Sequence, residues 1–146
     1  MASRIFGNFL LKGYDSSTKI NLASGGDTIK VALVTSSYVP NYDTHDFFDD
    51  ITNEVSGTGY TAGGATLGTQ TCTLDTTDDE LVVDGADTTW TTSTITARGA
   101  VIYKSTGTAS TSPLIAYVDF TTDRVSDGGT FQITWASEGI INITYT

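Results

Sequence analysis

The sequence predicts an all-β fold, an antiparallel β-sandwich or barrel of about seven to nine strands with one or two short helices. Three observations carry this. Threonine makes up about one residue in five. It falls inside extended runs such as Thr69-Gln70-Thr71-Cys72-Thr73-Leu74 and Thr91-Thr92-Ser93-Thr94-Ile95-Thr96. Its β-branched side chain is stiff and suits a pleated surface, while its hydroxyl tolerates water. From Ala65 onward, short apolar runs are separated by turn-forming residues at sandwich-like spacing. Helical spacing of apolar residues, by contrast, is confined to two short stretches.

The first of these is N-terminal. Ile5, Phe6, Phe9 and Leu10 lie at i, i+1, i+4 and i+5, which predicts a short helix from about Arg4 to Lys12, ended near Gly13. Such a helix is too short to be stable alone and must pack on something. It either caps the domain's own core or forms an arm, residues 1–12, that docks on another subunit. After the break Ser24-Gly25-Gly26-Asp27 comes the clearest strand, Thr28 to Thr35. Ile29, Val31 and Leu33 face one way and Lys30, Ala32 and Val34 the other, so both faces should be covered. Pro40 and Asn41 open a loop.

Asp43 to Ile51 reads as a one- or two-turn helix. Asp43 or Thr44 would be its N-cap, and Phe47, Phe48 and Ile51 its anchors. Ser56 to Ala65 is a glycine-rich loop. Strands then follow at about Thr66–Asp75, Glu80–Asp84, Thr89–Ile95, Ala97–Lys104, Leu114–Thr121, Thr130–Ala136 and Ile140–Tyr145. Their punctuation includes Asp84-Gly85, Thr106-Gly107, Ser112-Pro113, Asp127-Gly128-Gly129 and Glu138-Gly139, all turn chemistry. No internal repeat or linker divides the chain, so residues 1–146 form one domain large enough to bury a core.

Charge and cysteine narrow the function. Seventeen acids oppose four Lys and three Arg, for a net charge of -10. Phosphate binding needs a clustered basic face, so nucleic acid and anionic membranes are not expected partners. Cys72 is the single cysteine, which excludes an intrachain disulfide and CxxC chemistry and leaves a small thiol within a strand. The N-terminal apolar residues are interrupted by Gly7 and Asn8, so no signal peptide is expected. No apolar run approaches a membrane span. Synthesis and folding in the cytoplasm follow.

Sites of chemistry are few. His45, the sole histidine, sits between Asp43 and Asp46, but one imidazole without a second ligand cluster reads as a surface or capping residue. The acids Asp75, Asp78, Asp79 and Glu80 lack the alternation and glycine of a calcium loop, and read, like Asp123 and Asp127, as solvated turns. Ser56-Gly57-Thr58-Gly59 and Gly63-Gly64 are followed by neither Lys nor a helix, so a phosphate cradle fails on context. No G-x-S-x-G elbow is present, and no pair of carboxylates is singled out for glycoside hydrolysis. Trp90, Trp135, Tyr60, Tyr103, Tyr117 and Tyr145 could line a sugar-binding face, although aromatics at alternate strand positions more often pack as core. No catalytic residue, cofactor or metal ligand is therefore assigned. The one candidate site is a protein interface at Ile5, Phe6, Phe9 and Leu10.

Several segments taken together carry a resemblance. They are Asp27 to Tyr38, Thr44-His45-Asp46-Phe47-Phe48, Gly57-Thr58-Gly59-Tyr60-Thr61-Ala62-Gly63-Gly64, Ala97-Arg98-Gly99-Ala100-Val101-Ile102-Tyr103-Lys104 and Pro113 to Phe120. The combination resembles small structural proteins of tailed bacteriophages, of the capsid decoration (cement) type. That resemblance implies a virion protein on the capsid surface, made in the host cytoplasm. Its partner would be the major capsid protein lattice, and it would act as a homo-oligomer, a dimer or trimer, without catalysis. A phage tail or baseplate component is the alternative, and a carbohydrate-binding β-sandwich module is a second.

Overall fold

The computed structural model describes residues 3–15 and 17–145. Eight strands and one helix follow in the order β1 (Arg4–Ile5), α1 (Gly7–Tyr14), β2 (Ile29–Val34), β3 (Ala65–Thr66), β4 (Thr71–Asp75), β5 (Glu80–Asp84), β6 (Thr88–Lys104), β7 (Leu114–Ile133) and β8 (Ile141–Thr144). Short 3₁₀ turns occur at Phe48–Asp50 and Ala109–Thr111. The strands form two antiparallel sheets, of five in the order β1-β7-β6-β2-β3 and of three in the order β4-β5-β8. The fold is the predicted all-β sandwich with a short helix.

The alternation of β2 explains the layering. Ile29, Val31 and Leu33 enter a core shared with Val83 of β5 and Ile141 of β8, so this core fills the space between the sheets. Ala32 and Val34 point to the opposite face, into a second core with Phe6, Tyr38, Val101, Tyr103, Leu114 and Tyr117. A strand buried on both faces loses its polar alternation, which is what the residues of β2 show. The second core is closed by Tyr42, Phe48 and Ile51 from the loop after β2.

Four expectations are corrected. The N-terminal helix begins at Gly7, not Arg4, because Arg4 and Ile5 pair as strand with Tyr117 and Ala116 of β7. Phe6 is extended, and its N–H donates to the Ile115 carbonyl at 2.9 Å. Ladder bonds thus take the residues that the stripe would have made helical. The helix ends near Gly13 as expected, at Tyr14, where the Asp15 N–H bonds back to the Leu11 carbonyl at 2.9 Å.

The helix expected at Asp43–Ile51 is only the turn Phe48–Asp50. Asn41 Oδ1 accepts from the N–H groups of Asp43 and Thr44 at 3.1 and 3.2 Å, which makes a side-chain turn where a cap was expected. The Asp50 carboxylate instead receives the Asp46 and Phe47 N–H groups at 2.8 and 3.0 Å.

Thr66–Asp75 is not one strand. β3 and β4 belong to different sheets, and the chain crosses between them through Leu67 and Thr69, the latter at φ 45°. Gln70 anchors the crossing by donating to the Ala23 and Asp27 carbonyls at 3.2 and 2.9 Å. The four strands expected between Thr89 and Ala136, finally, are two long ones, β6 and β7, of 17 and 20 residues. Asp127-Gly128-Gly129 is an irregularity inside β7 near Ser93 and not a chain reversal. Bulges let long strands bend without ending, and turn residues serve both purposes.

Candidate interaction surface

The predicted interface residues separate. Phe6 is 0% exposed and belongs to the second core; Phe9 belongs to the first, and Ile5 packs against it half-buried. Leu10 alone faces outward, 46% exposed, where it joins Leu11 at 60% and Tyr14 at 89%. A helix of eight residues presents opposite faces every two residues or so. With Asn8 and Phe9 turned inward, positions 10, 11 and 14 must point away. Leu11 and Tyr14 were missed by the sequence reading, although the i, i+4 relation of Leu10 to Tyr14 was there to see.

The helix is held firmly. Asn8 Nδ2 donates to the Asp46 carbonyl at 2.9 Å, and the Gly7 N–H to the Tyr42 carbonyl at 2.9 Å. Arg4 lies over the Tyr42 ring, 4.5 Å from its centroid. In the last turn Lys12 meets Asp15 at 3.3 Å. The Ser17 N–H and hydroxyl, then Thr18 and Lys12, hold the Asp15 carboxyl well below the usual carboxylate range. Leu10 and Ile5 line a groove of about 510 Å³ together with Ala116 and Val118 of β7 and with Ile140 and Ile141.

A second apolar surface lies at the end of the small sheet. Cys72, Val83 and Ile141 form one cross-strand row, and Leu74, Leu81 and Ile143 form the row two residues on. Residues two apart share a face, so the second row continues the core-facing side past the body of the sandwich. Leu74 is 64% exposed there, and Tyr145, beyond β8, is 52% exposed. The adjoining turn is acidic. Asp75 Oδ1 accepts from the Thr77 and Asp78 N–H groups at 2.8 and 3.3 Å, while Glu80 accepts from Asn142 Nδ2 at 2.6 Å. The first two are the bonds of a hairpin turn, and the third ties β8 to β5. Among the described residues, no group of three or more His, Cys, Asp or Glu side chains is placed to hold a metal ion.

His45 is half-buried. Its Nδ1 lies 2.9 Å from the Tyr38 hydroxyl and 3.4 Å from the Asn41 N–H. The N–H can only donate, so Nδ1 is the acceptor and the Tyr38 hydroxyl donates to it. Tyr38 itself is buried in the second core. His45→Ala should therefore cost about 1–2 kcal/mol by leaving that hydroxyl without its acceptor, read as a lowered denaturation midpoint. A chelator should leave the midpoint unchanged.

The aromatics considered for a sugar face are largely internal. Trp90, Tyr103 and Tyr117 are buried. Trp90 packs edge-on against Phe131 with centroids 5.9 Å apart, and Trp135 Nε1 donates to the Ala86 carbonyl at 3.1 Å. Tyr60 packs on the first core; its hydroxyl donates to Glu54 Oε1 at 2.6 Å and accepts from the Leu33 N–H at 2.9 Å. Glu54 Oε1 also receives the Gly63 N–H at 2.6 Å, and the Tyr103 hydroxyl donates to the Gly63 carbonyl at 2.8 Å. These bonds fasten the glycine-rich loop to the sheet, a structural use of the segment.

Burial, followed by nearby Tyr and acidic groups, pushes the Tyr117 phenol up to about 12, and burial followed by Glu54 does the same to Tyr103. The Tyr38 and Tyr60 phenols are also raised, chiefly by burial. The folded state then keeps protons that the unfolded chain releases near about pH 10. The contribution of these tyrosines to stability should be level below that pH and fall as pH rises from about 10 towards 12. Denaturant titrations at stepped alkaline pH check this; a midpoint that stays level to pH 12 would refute it.

Comparison with family models, with curated proteins and with solved structures finds no match to this chain. No helix among the described residues is long and apolar enough to cross a membrane.

Proposed function

We propose that this chain is a structural protein of a tailed-phage virion that binds the assembled capsid exterior and stabilises it. The observation that carries the reading is the outer face of α1, where Leu10, Leu11 and Tyr14 are exposed on a helix whose opposite side is locked into the core. Such a face gives a rigid sheet body an anchor for another protein surface. The sequence resemblance to decoration proteins supplies the partner, a repeating capsid lattice. Binding only the assembled shell would stabilise it by mass action, and many modest contacts repeated over the lattice would add through multivalency.

The test is to mix purified protein with undecorated capsids and count bound copies by cryo-imaging. Occupancy over the shell, with later failure under heat, supports the reading. Copies confined to the tail would move the assignment to a tail or baseplate component. The sugar-binding alternative ranks lower because Trp90, Tyr103 and Tyr117 are buried in the cores.

A further inference from the structure

Four strands end the two sheets, β1 and β3 the larger and β4 and β8 the smaller. An edge strand offers a row of N–H and C=O groups to another chain unless something blunts it. β1 and β3 are only two residues long. The stretch of β7 that runs past β1 is interrupted by register shifts opposite Arg98 and Thr94. β8 borders the groove that Ile5 and Leu10 also line. β4 has none of these protections. Thr71-Cys72-Thr73-Leu74-Asp75 contains no Lys, Pro or Gly, pairs residue for residue with β5, and has no described strand on its other side. The neighbouring ladder shows which of its groups point outward. The Tyr145 N–H donates to the Asp79 carbonyl at 3.0 Å and the Ile140 N–H to the Val83 carbonyl at 2.8 Å, so the odd-numbered residues from 79 to 83 turn their backbone towards β8. Backbone direction alternates along a strand, which leaves Glu80, Val82 and Asp84 bonded to their partners Asp75, Thr73 and Thr71. The N–H and C=O groups of Cys72 and Leu74 therefore point out from the sheet.

We propose that β4 of one copy pairs antiparallel with β4 of a second copy about a two-fold axis at Thr73, joining the two small sheets into one of six strands. The occupant is a second copy because the strand is complementary to itself in this register. Cys72 falls opposite Leu74 of the second copy, and these are the residues whose backbone groups point outward. Thr73 meets its own counterpart, and Thr71 meets Asp75, so no two like charges are opposed. Leu74, 64% exposed in one chain, gains Cys72 and, diagonally, Leu74 of the other chain on the core-facing side. The acids favour the same sense. Asp75 and its counterpart stand four residues apart along the paired strands, about 14 Å, which exceeds the Debye length of about 8 Å at physiological salt. Their turns lie further out still, whereas a parallel pairing would set them side by side. The outer face of α1 takes no part, so both copies keep it for the capsid. This specifies the contact behind the homo-oligomer expected from sequence.

A contact of this size belongs with the weaker interfaces, so the purified full chain is measured by sedimentation equilibrium up to about 100 μM, where a micromolar Kd leaves it dimeric. Twice the chain mass is expected and nothing larger, since the two-fold uses the edge of both copies. Added salt should strengthen the dimer by screening the repulsion between copies of net charge -10. Leu74→Lys should be monomeric with an unchanged melting transition, because the side chain is exposed in the single chain. Cysteine cross-linking in a Cys72→Ser background reads the register. Thr73→Cys should form an intermolecular disulfide under mild oxidation, since facing residues of a non-hydrogen-bonded pair have Cα atoms about 4.5 Å apart. Thr71→Cys should not, being about 14 Å from its counterpart. Should the serine background fail to fold, Cys72→Ala replaces it. A wild type that stays monomeric, a dimer that salt dissociates, assembly by Leu74→Lys, or cross-linking at Thr71→Cys but not at Thr73→Cys would each overturn the pairing. Leu74→Lys leaves Leu10, Leu11 and Tyr14 intact and should still bind undecorated capsids, so failure of this pairing and failure of the capsid reading are distinguishable.

Discussion

Phe6→Ala is expected to lower the free energy of unfolding by about 3–5 kcal/mol, the range for truncating a buried phenylalanine. The ring is fully enclosed by the second core and lies 5.4 Å from the Tyr42 ring, centroid to centroid. The cluster around it includes Val34 and Val101, stiff side chains on strands that are hydrogen-bonded on both sides, which limits collapse into the space. The thermal midpoint should drop by roughly 10 °C for a chain of this size. Leu11→Ala, on the exposed face of the helix that follows, should change the free energy of unfolding by less than about 0.5 kcal/mol. A similar loss for both would mean that the N-terminal segment does not sit as described.

Gly64→Ala should be at least as damaging. The residue has φ 73°, and a Cβ there would fall on the Val31 carbonyl oxygen, within 2.6 Å of Ala32 Cα. Both are backbone atoms of the central strand β2, so relief requires moving the strand or lifting the loop. Lifting the loop would break the bonds that Glu54 and Tyr103 make to Gly63. A cost of about 4 kcal/mol or more follows from overlap and backbone strain together. Gly107→Ala separates the two causes. Gly107 has φ 88° but nothing within 4 Å of the added carbon, so only about 1–2 kcal/mol of left-handed strain should appear. Chemical denaturation of both variants gives the comparison.

These two sites also show what was legible beforehand. β2, β5 and β8 were readable because their side chains state their burial: apolar on both parities in β2, bounded by turns in the others. The start of α1 was not, because Arg4 and Ile5 take their conformation from Tyr117 and Ala116, more than a hundred residues away. The break between β3 and β4 depends on Gln70 reaching two carbonyls of the loop before β2, a contact with no local signature. Asp127-Gly128-Gly129 has the composition of a turn and is used as a bulge, a choice that the facing strand makes. The candidate interface was half legible. Its stripe mixed residues from a strand, a connector and a helix, so Phe6 and Phe9 went inward while Leu11 and Tyr14, outside the stripe, joined Leu10 outside.

The pairing of β1 with β7 has a consequence for biosynthesis. Arg4 and Ile5 leave the ribosome well before their strand partners, Ala116 and Tyr117, which come more than a hundred residues later. At translation rates of about 5–20 residues per second, the N-terminal segment waits on the order of ten seconds before β7 exists. Throughout that interval Phe6, Phe9, Leu10 and Leu11 are an apolar segment without the strand that β1 pairs with, the kind of segment that chaperones hold. The outer face of α1 remains apolar after folding, whereas Phe6 and Phe9 vanish into the cores. A nascent chain stalled before Leu114 should therefore be captured by holdase chaperones, and one extended past β8 should not.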